Sequence, residues 1–170
     1  MKKFLVLGSL AAALLVTGCS QKSNVDSGAD ANAGAYQQGQ NGGRDNFATI
    51  EDRIRYVEDQ LQNVYFDFDK FVIRQNMQSV VDNDANVLNS VEVGPLTARV
   101  EGNTDEWGTD EYNYALGLKR AVAVKDALVA KGVSESRIVL VSYGESKPTC
   151  TEKTRECWAE NRKVTFKMLP

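Results

Sequence analysis

Residues 100–120 read VEGNTDEWGTDEYNYALGLKR, and this segment sets the architecture expected around it. It begins with the end of a strand, turns through a loop that contains glycine, and continues as a helix that Thr109 or Asp110 can cap. Open sheets usually present ligand contacts beyond the carboxyl ends of their strands. Asp105, which follows the strand directly, is therefore expected to face a bound molecule.

Hydrophobic periodicity assigns the elements on either side of this segment. In chain order we predict a helix within 47–63, a strand over 64–69, a helix over about 73–88, a strand over 96–102, a helix over about 110–131 closed by Gly132, a strand over 137–143 and a strand over 163–168. The strand at 137–143 is almost continuously apolar, which predicts that both of its faces are covered. This order predicts an α+β sandwich, a mixed four-stranded sheet in the order βαβαβ(α)β with helices layered on it.

Composition excludes several classes of function. The chain has 170 residues, of which 42% are hydrophobic and 25% charged, with a net charge of −3 and no histidine. Without histidine, mechanisms that use imidazole as base, acid or metal ligand are excluded, and no metal or cofactor is expected. The acidic balance provides no cationic field for a polyphosphate chain, so we expect no nucleic-acid partner.

The N-terminus has the pattern of an export signal. Two lysines precede an apolar run at 4–16, which is too short to span a membrane as a mature helix. The run ends in Thr17-Gly18-Cys19, which resembles the lipobox of bacterial lipoproteins and implies a signal peptide over 1–18 and acylation of Cys19. An ordinary signal peptide with a cysteine nearby is the alternative. Because Ser20 follows where aspartate would resemble an inner-membrane retention signal, the expected location is the outer membrane, with the domain in the periplasm.

The segment from the acylated cysteine to residue 46 is predicted to be a disordered tether. Residues 20–46 contain no Leu, Ile, Phe or Met and are rich in Gly, Ala, Ser, Asn and Gln, so they cannot bury enough surface to fold. Fully extended, such a segment reaches some 90 Å. The amphipathic helix within 47–63 then leads into the domain at 64–170, and it either packs on that domain or docks on a partner.

Two cysteines remain besides Cys19. Cys150 and Cys157 lie in the loop before the last strand, and an exported chain lives where thiols oxidise, so we expect a disulfide between them. On the chain-entropy model, closing this loop contributes about 2.5 kcal/mol. Two free thiols are the alternative. A metal site is excluded, since the loop supplies no third and fourth ligand.

A pair of opposite charges is the strongest candidate for a site. Asn113, Leu116 and Arg120 share one face of the predicted helix, and burying the guanidinium there requires an acidic partner. Either Asp105 forms a structural ion pair with Arg120, or both charges remain unpaired until a ligand binds. A zwitterionic amino-acid head would satisfy both, with Asp105 accepting from the ammonium group and Arg120 donating to the carboxylate.

Several blocks of sequence resemble the OmpA-like peptidoglycan-binding domain family. They are YFDFDK at 65–70, VEGNTDEWGTDEYN at 100–113, Leu116, Arg120-Ala121, SYG at 142–144 with Lys147-Pro148, and Asn161-Arg162. The resemblance implies non-covalent binding of the peptidoglycan stem peptide through its diaminopimelate residue, with Asp105 and Arg120 on the side-chain end. Further contacts implied by it are Phe66, Asp67, Phe68, Asn113, Leu116 and Arg162.

The resemblance also implies a protein partner, the periplasmic propeller protein TolB, and a role in the Tol system of envelope integrity and cell division. The chain departs from the family pattern at Asn103, Trp107, Gly117 and Lys163, and the cysteine pair is not a general family feature. Trp107 either offers an aromatic wall to a ligand or partner, or packs on the domain as a loop residue.

Two other functions compete with wall binding. A carboxylate-based hydrolase would use two of the four acidic residues Asp67, Asp69, Asp105 and Glu106, and Asp67 and Asp69 share a strand face at about 7 Å. Both belong to blocks that the resemblance assigns to binding, so we expect no enzyme activity. A periplasmic adaptor that binds proteins but not the wall is the other alternative.

Overall fold

A mixed four-stranded sheet forms the centre of the domain in the computed structural model, which describes residues 47–170. The strands are β1 (Val64–Tyr65), β2 (Thr97–Asn103), β3 (Ile138–Gly144) and β4 (Lys163–Leu169), in the spatial order β1-β4-β2-β3. The central strand β2 runs parallel to β3 and antiparallel to β4, and β1 runs antiparallel to β4. The predicted α+β class and mixed four-stranded sheet are confirmed.

Four α-helices accompany the sheet in the described residues. They are α1 (Ile50–Glu58), α2 (Gln78–Leu88), α3 (Asp110–Ala130) and α4 (Arg155–Asn161). Three of them begin at a threonine whose hydroxyl accepts a hydrogen bond from the backbone N–H three residues later, namely Thr49, Thr109 and Thr154. Gly132 follows α3 with a φ of 94°, as predicted for the residue that ends this helix.

Close packing of α3 on the sheet fixes where the site lies. Gly102 on β2 and Gly117 on α3 face each other so closely that a Cβ atom added to Gly102 would lie 1.9 Å from the carbonyl oxygen of Gly117. Only glycine permits this approach. Arg120 lies one helical turn beyond Gly117, so its guanidinium is brought underneath the segment that follows β2.

The predicted strand at 64–69 is shorter than expected. Regular pairing ends at Tyr65, although the N–H of Phe66 still donates to the carbonyl of Arg162 at 2.9 Å. The chain then turns, because Asp69 adopts a φ of 55° and the N–H of Lys70 donates to the carbonyl of Asp67. Alternating side chains predicted a strand here, but the turn redirects the backbone and leaves Phe68 at the surface.

Two further expectations need correction. The helix expected within 47–63 covers only Ile50–Glu58, although its apolar stripe packs on the domain and Val57 is buried in the core. The strand β3 lies at the edge of the sheet, and Val139 is 40% exposed, so the prediction that both faces of β3 are covered was wrong. An apolar edge strand with α3 against one face produces the same sequence pattern as a fully covered strand.

The cysteine pair forms the expected disulfide, Cys150–Cys157, in the loop that leads into α4. The signal peptide, Cys19 and the tether fall outside residues 47–170, so they remain predictions. Among the helices of residues 47–170, none is long and apolar enough to cross a bilayer.

Candidate functional site

The guanidinium of Arg120 is the centre of the candidate site. The side chain is completely buried, and three of its N–H groups donate to backbone carbonyls. Nε donates to Lys70 at 2.8 Å, one terminal nitrogen to Asn103 at 2.8 Å and the other to Asp67 at 3.2 Å. Arg120 thereby joins the turn after β1 to the end of β2, the two segments that surround Asp105.

Arg120 keeps its positive charge despite its burial. Loss of solvent lowers the pKa of Arg120 to about 10, and the nearby carboxylate of Asp105 opposes this shift. The guanidinium also lies over the ring of Phe66, 5.3 Å from its centroid. At neutral pH a full positive charge therefore lies beneath the segment that carries Asp105.

Asp105 pairs with a different arginine from the one expected as its structural partner. Its Oδ2 lies 3.0 Å from a terminal nitrogen of Arg162, whose Nε donates to the carbonyl of Phe66 at 3.2 Å. Within residues 47–170, Asp105 and Arg120 form no ion pair with each other. The Asp105 carboxylate therefore has a positive charge beside it in Arg162 and a second one near it in Arg120.

Two adjoining cavities open beside Asp105. One has a volume of about 260 Å³ and is lined by Phe68, Asp69, Asp105, Trp107, Gly108, Tyr112 and Leu116. The other has a volume of about 360 Å³ and is lined by Phe68, Asp105, Trp107, Arg155, Trp158 and Arg162. Phe68 and Trp107 are 59% and 53% exposed and line both cavities together with Asp105.

The structure brings most of the sequence-predicted site residues around this acid. Phe68 and Leu116 line the first cavity and Arg162 lines the second, whereas Phe66 lies buried under Arg120. The Asp67 carboxylate points elsewhere, 3.7 Å from Arg74, so this residue contributes its carbonyl to Arg120.

Asn113 is set apart from this group. It is completely buried on α3 and donates from Nδ2 to Glu145. Its Oδ1 has no hydrogen-bond partner among the described residues. Asn113 lines neither of the two cavities beside Asp105.

Sequence reasoning missed three contributors to the site. Tyr112 lines the first cavity, and its hydroxyl donates to the carboxylate of Asp69. Arg155 and Trp158 line the second cavity from α4. A periodic signal could have indicated Tyr112, since it lies four residues before Leu116 on α3, but α4 is too short to show a periodic pattern.

The charges around Asp105 suit a small zwitterion. No cluster of three or more metal-ligating Cys, Asp or Glu side chains occurs within residues 47–170. Asp105 offers an acceptor for a cationic group, while Arg120 and Arg162 supply positive charge next to it. An ammonium and a carboxylate on one carbon would meet both signs of charge.

Comparison with known proteins identifies the family. The model of the OmpA family matches residues 65–162. A peptidoglycan-associated lipoprotein of Mesorhizobium japonicum is 36% identical over 162 residues, which are 94% of this chain and 88% of the relative. One of Pasteurella multocida is 40% identical over 113 residues, 66% of this chain and 74% of the relative. The chain therefore belongs to the OmpA family and, within it, to the peptidoglycan-associated lipoproteins.

Solved structures agree with this placement. The crystal structure of the peptidoglycan-associated lipoprotein from Burkholderia pseudomallei matches with a TM-score of 0.60 and 38% identity, covering 64% of this chain and 90% of that one. The C-terminal domain of Helicobacter pylori MotB matches with a TM-score of 0.59 at 21% identity, covering 64% and 84%, and shows the fold alone. None of the relatives named above bears the name of an enzyme, in line with the expectation of a binding protein.

Proposed function

We propose that this lipoprotein binds peptidoglycan non-covalently and links the outer membrane to the cell wall. The observation that carries the proposal is the buried Asp105 carboxylate, which lines two cavities with Arg120 beneath it and Arg162 beside it. The names of its relatives, all peptidoglycan-associated lipoproteins, give independent support.

The ligand of this site is the diaminopimelate residue of the stem peptide. Asp105 accepts from the ammonium of its side-chain end, while the carboxylate of that end is held by the positive charge of Arg120 and Arg162. Because three N–H groups of Arg120 are taken by carbonyls, Arg120 also shapes the two segments around Asp105. The resemblance further implies contacts from Phe66, Asp67, Phe68, Asn113 and Leu116.

The N-terminal part of the chain connects the domain to the outer membrane. Acylation of Cys19 anchors the protein in the outer membrane, and the tether over 20–46 lets the domain reach the wall from there. A TolB-like periplasmic propeller protein is the protein partner, which would give the attachment a role in envelope integrity and cell division.

Sedimentation with purified sacculi tests the proposal. Replacing Asp105 by asparagine keeps the shape of the side chain but removes the charge that faces the ammonium, so we expect wall binding to weaken at least tenfold. Asp110→Asn, at the exposed start of α3, is the matched control and should sediment as the unmodified chain does. Equal sedimentation of Asp105→Asn and Asp110→Asn would overturn the assignment of the site.

Two further readouts separate the competing functions. Release of soluble muropeptides from the sacculi would indicate a hydrolase, and retention of a TolB-like partner without any sedimentation would indicate a pure adaptor. Titration with a stem peptide that contains diaminopimelate, against one that contains lysine, tests the head group, since lysine lacks the second carboxylate. Equal affinity for the two peptides would contradict diaminopimelate recognition.

A further inference from the structure

The second cavity beside Asp105 has a chemistry of its own. Its walls are mostly apolar and come from Phe68, Trp107 and Trp158, while Arg155 and Arg162 supply its positive charge. The chain has two tryptophans in total, and both line this cavity. We call it the indole cleft. It shares Phe68, Asp105 and Trp107 with the first cavity, so a ligand held at Asp105 can extend into it.

The walls of the indole cleft are fixed in place by contacts within the domain. The two indole rings meet edge to face, with centroids 5.2 Å apart and an interplanar angle of 77°. The Nε1–H of Trp158 donates to Glu106 at 3.0 Å, and the Cys150–Cys157 disulfide ends at the residue before Trp158. A ligand would therefore enter a cleft that is already formed, which reduces the ordering cost of binding.

Arg155 is the unexplained charge of this cleft. It lies exposed at the first residue of α4, where the helix dipole disfavours a cation. Among residues 47–170 it has neither an ion pair nor a hydrogen bond from its side chain, whereas Arg162 in the same cleft is paired with Asp105. Neither helix stability nor an internal partner accounts for a cation at this position.

We propose that the indole cleft is a second ligand subsite, in which Arg155 binds a carboxylate of the stem peptide other than those of diaminopimelate. The aliphatic part of the peptide packs on Trp107 and Phe68, and Arg155 donates to the carboxylate at the far end. This inference rests on the proposed function, because it requires diaminopimelate at Asp105. The stem peptide offers two such carboxylates, the α-carboxylate of its γ-linked glutamate and the carboxylate of its C-terminal alanine.

Intrinsic tryptophan fluorescence reports on this cleft directly, since both tryptophans line it. The probe is the tetrapeptide Ala-γ-Glu-diaminopimelate-Ala, titrated into the purified chain. We expect Arg155→Gln to weaken binding about tenfold, the effect of losing one charge-assisted hydrogen bond. Arg55→Gln on α1 removes an exposed arginine remote from the cleft and should leave the affinity unchanged.

Two amidated probes identify the carboxylate. One tetrapeptide carries an amide at the glutamate α-carboxyl and the other at its C-terminus. If an amide replaces the carboxylate that Arg155 binds, that probe should bind the unmodified chain about tenfold more weakly than the free tetrapeptide does. The same probe should bind the Arg155→Gln variant and the unmodified chain with equal affinity. Such non-additivity shows that side chain and carboxylate act on each other.

The outcomes separate this inference from the proposed function. If Asp105→Asn abolishes binding while Arg155→Gln and both amides leave the affinity unchanged, the subsite is overturned and the function stands. The same holds if the losses from Arg155→Gln and from each amide simply add. If only a probe that carries the disaccharide quenches the tryptophans, the cleft binds glycan and the carboxylate assignment is wrong. If the unmodified chain sediments with sacculi but binds no tetrapeptide, the subsite and the diaminopimelate assignment fall while wall binding stands; if it binds neither, both proposals fall.

Discussion

Two completely buried charged side chains, Arg120 beside the site and Asp84 on α2, have very different surroundings. Arg120 donates to three carbonyls from two segments of chain. Asp84 accepts a single hydrogen bond, from the N–H of Gln62 at 2.9 Å, and its Oδ2 has no partner among the described residues. Equal burial therefore does not imply equally complete hydrogen bonding.

The two surroundings have different effects on charge. Desolvation lowers the pKa of Arg120 only to about 10, so Arg120 stays cationic at neutral pH. Desolvation raises the pKa of Asp84 to about 7 against the weaker opposing effect of the Gln62 hydrogen bond, so Asp84 is partly protonated there. The fold keeps a full buried charge beside the candidate site and allows neutralisation on α2.

Replacing Arg120 by methionine should have the largest effect on stability. Three backbone carbonyls, of which that of Asn103 is buried, would lose their donor, and we expect the free energy of unfolding to fall by about 4 kcal/mol. Urea denaturation measures this change. Lys119→Met, at the exposed neighbouring position of α3, should change stability by less than about 0.5 kcal/mol. A loss below about 1 kcal/mol in Arg120→Met would mean that the carbonyls find other donors.

Asn161 extends the comparison to an uncharged side chain with as many partners as Arg120. Its Oδ1 accepts from the N–H groups of Thr149 and Cys150, and its Nδ2 donates to the carbonyl of Cys150 at 2.7 Å. We expect Asn161→Ala to lower the free energy of unfolding by about 2 kcal/mol, less than Arg120→Met because no charge is involved.

Asn161→Asp sharpens this test. A carboxylate still accepts from the two N–H groups, but it cannot donate to the carbonyl of Cys150 and places a buried negative oxygen against it, so its loss in urea denaturation should exceed that of Asn161→Ala. A smaller loss in Asn161→Asp than in Asn161→Ala would show that the two accepted hydrogen bonds outweigh this repulsion.

Much of the fold could be predicted from the sequence, because helix ends and apolar patterns depend on residues that are close together in the chain. Gly132 ends α3 as predicted, and the helix predicted to end at about residue 88 does end at Leu88, which is buried. The pairing of the two cysteines followed from the compartment in which an exported chain folds. Each of these inferences needs only neighbouring residues or general chemistry.

Contacts between distant segments could not be predicted from the residues alone. Spacing suggested Asp105 as the ion-pair partner of Arg120, yet Asp105 pairs with Arg162, which is 57 residues away. The turn at Asp69 ends a strand that alternation extended too far. The indole cleft depends on α4, whose seven residues give no periodic signal, so Arg155 and Trp158 had no motif to indicate them.

A pH dependence of stability is expected from Asp84. The pKa of the Asp84 carboxyl rises from its ordinary value of 3.8 to about 7 in the folded protein. Between these pH values the folded state therefore holds a proton that the unfolded state has released. Its contribution to stability is therefore complete below about pH 4 and is lost as the pH rises through 7.

Asp84→Asn removes this titration while keeping an oxygen that can accept from Gln62. The stability of the variant relative to the unmodified chain should therefore rise between pH 4.5 and pH 8, by roughly 3 kcal/mol for a pKa that changes from 3.8 to about 7 on folding. Urea denaturation at both pH values measures the difference, and Asn83→Ala, at the exposed neighbouring position without a titratable side chain, should show none. A constant difference between Asp84→Asn and the unmodified chain would mean that Asp84 is ionised throughout this range, and the contrast with Arg120 would then lie in hydrogen bonding alone.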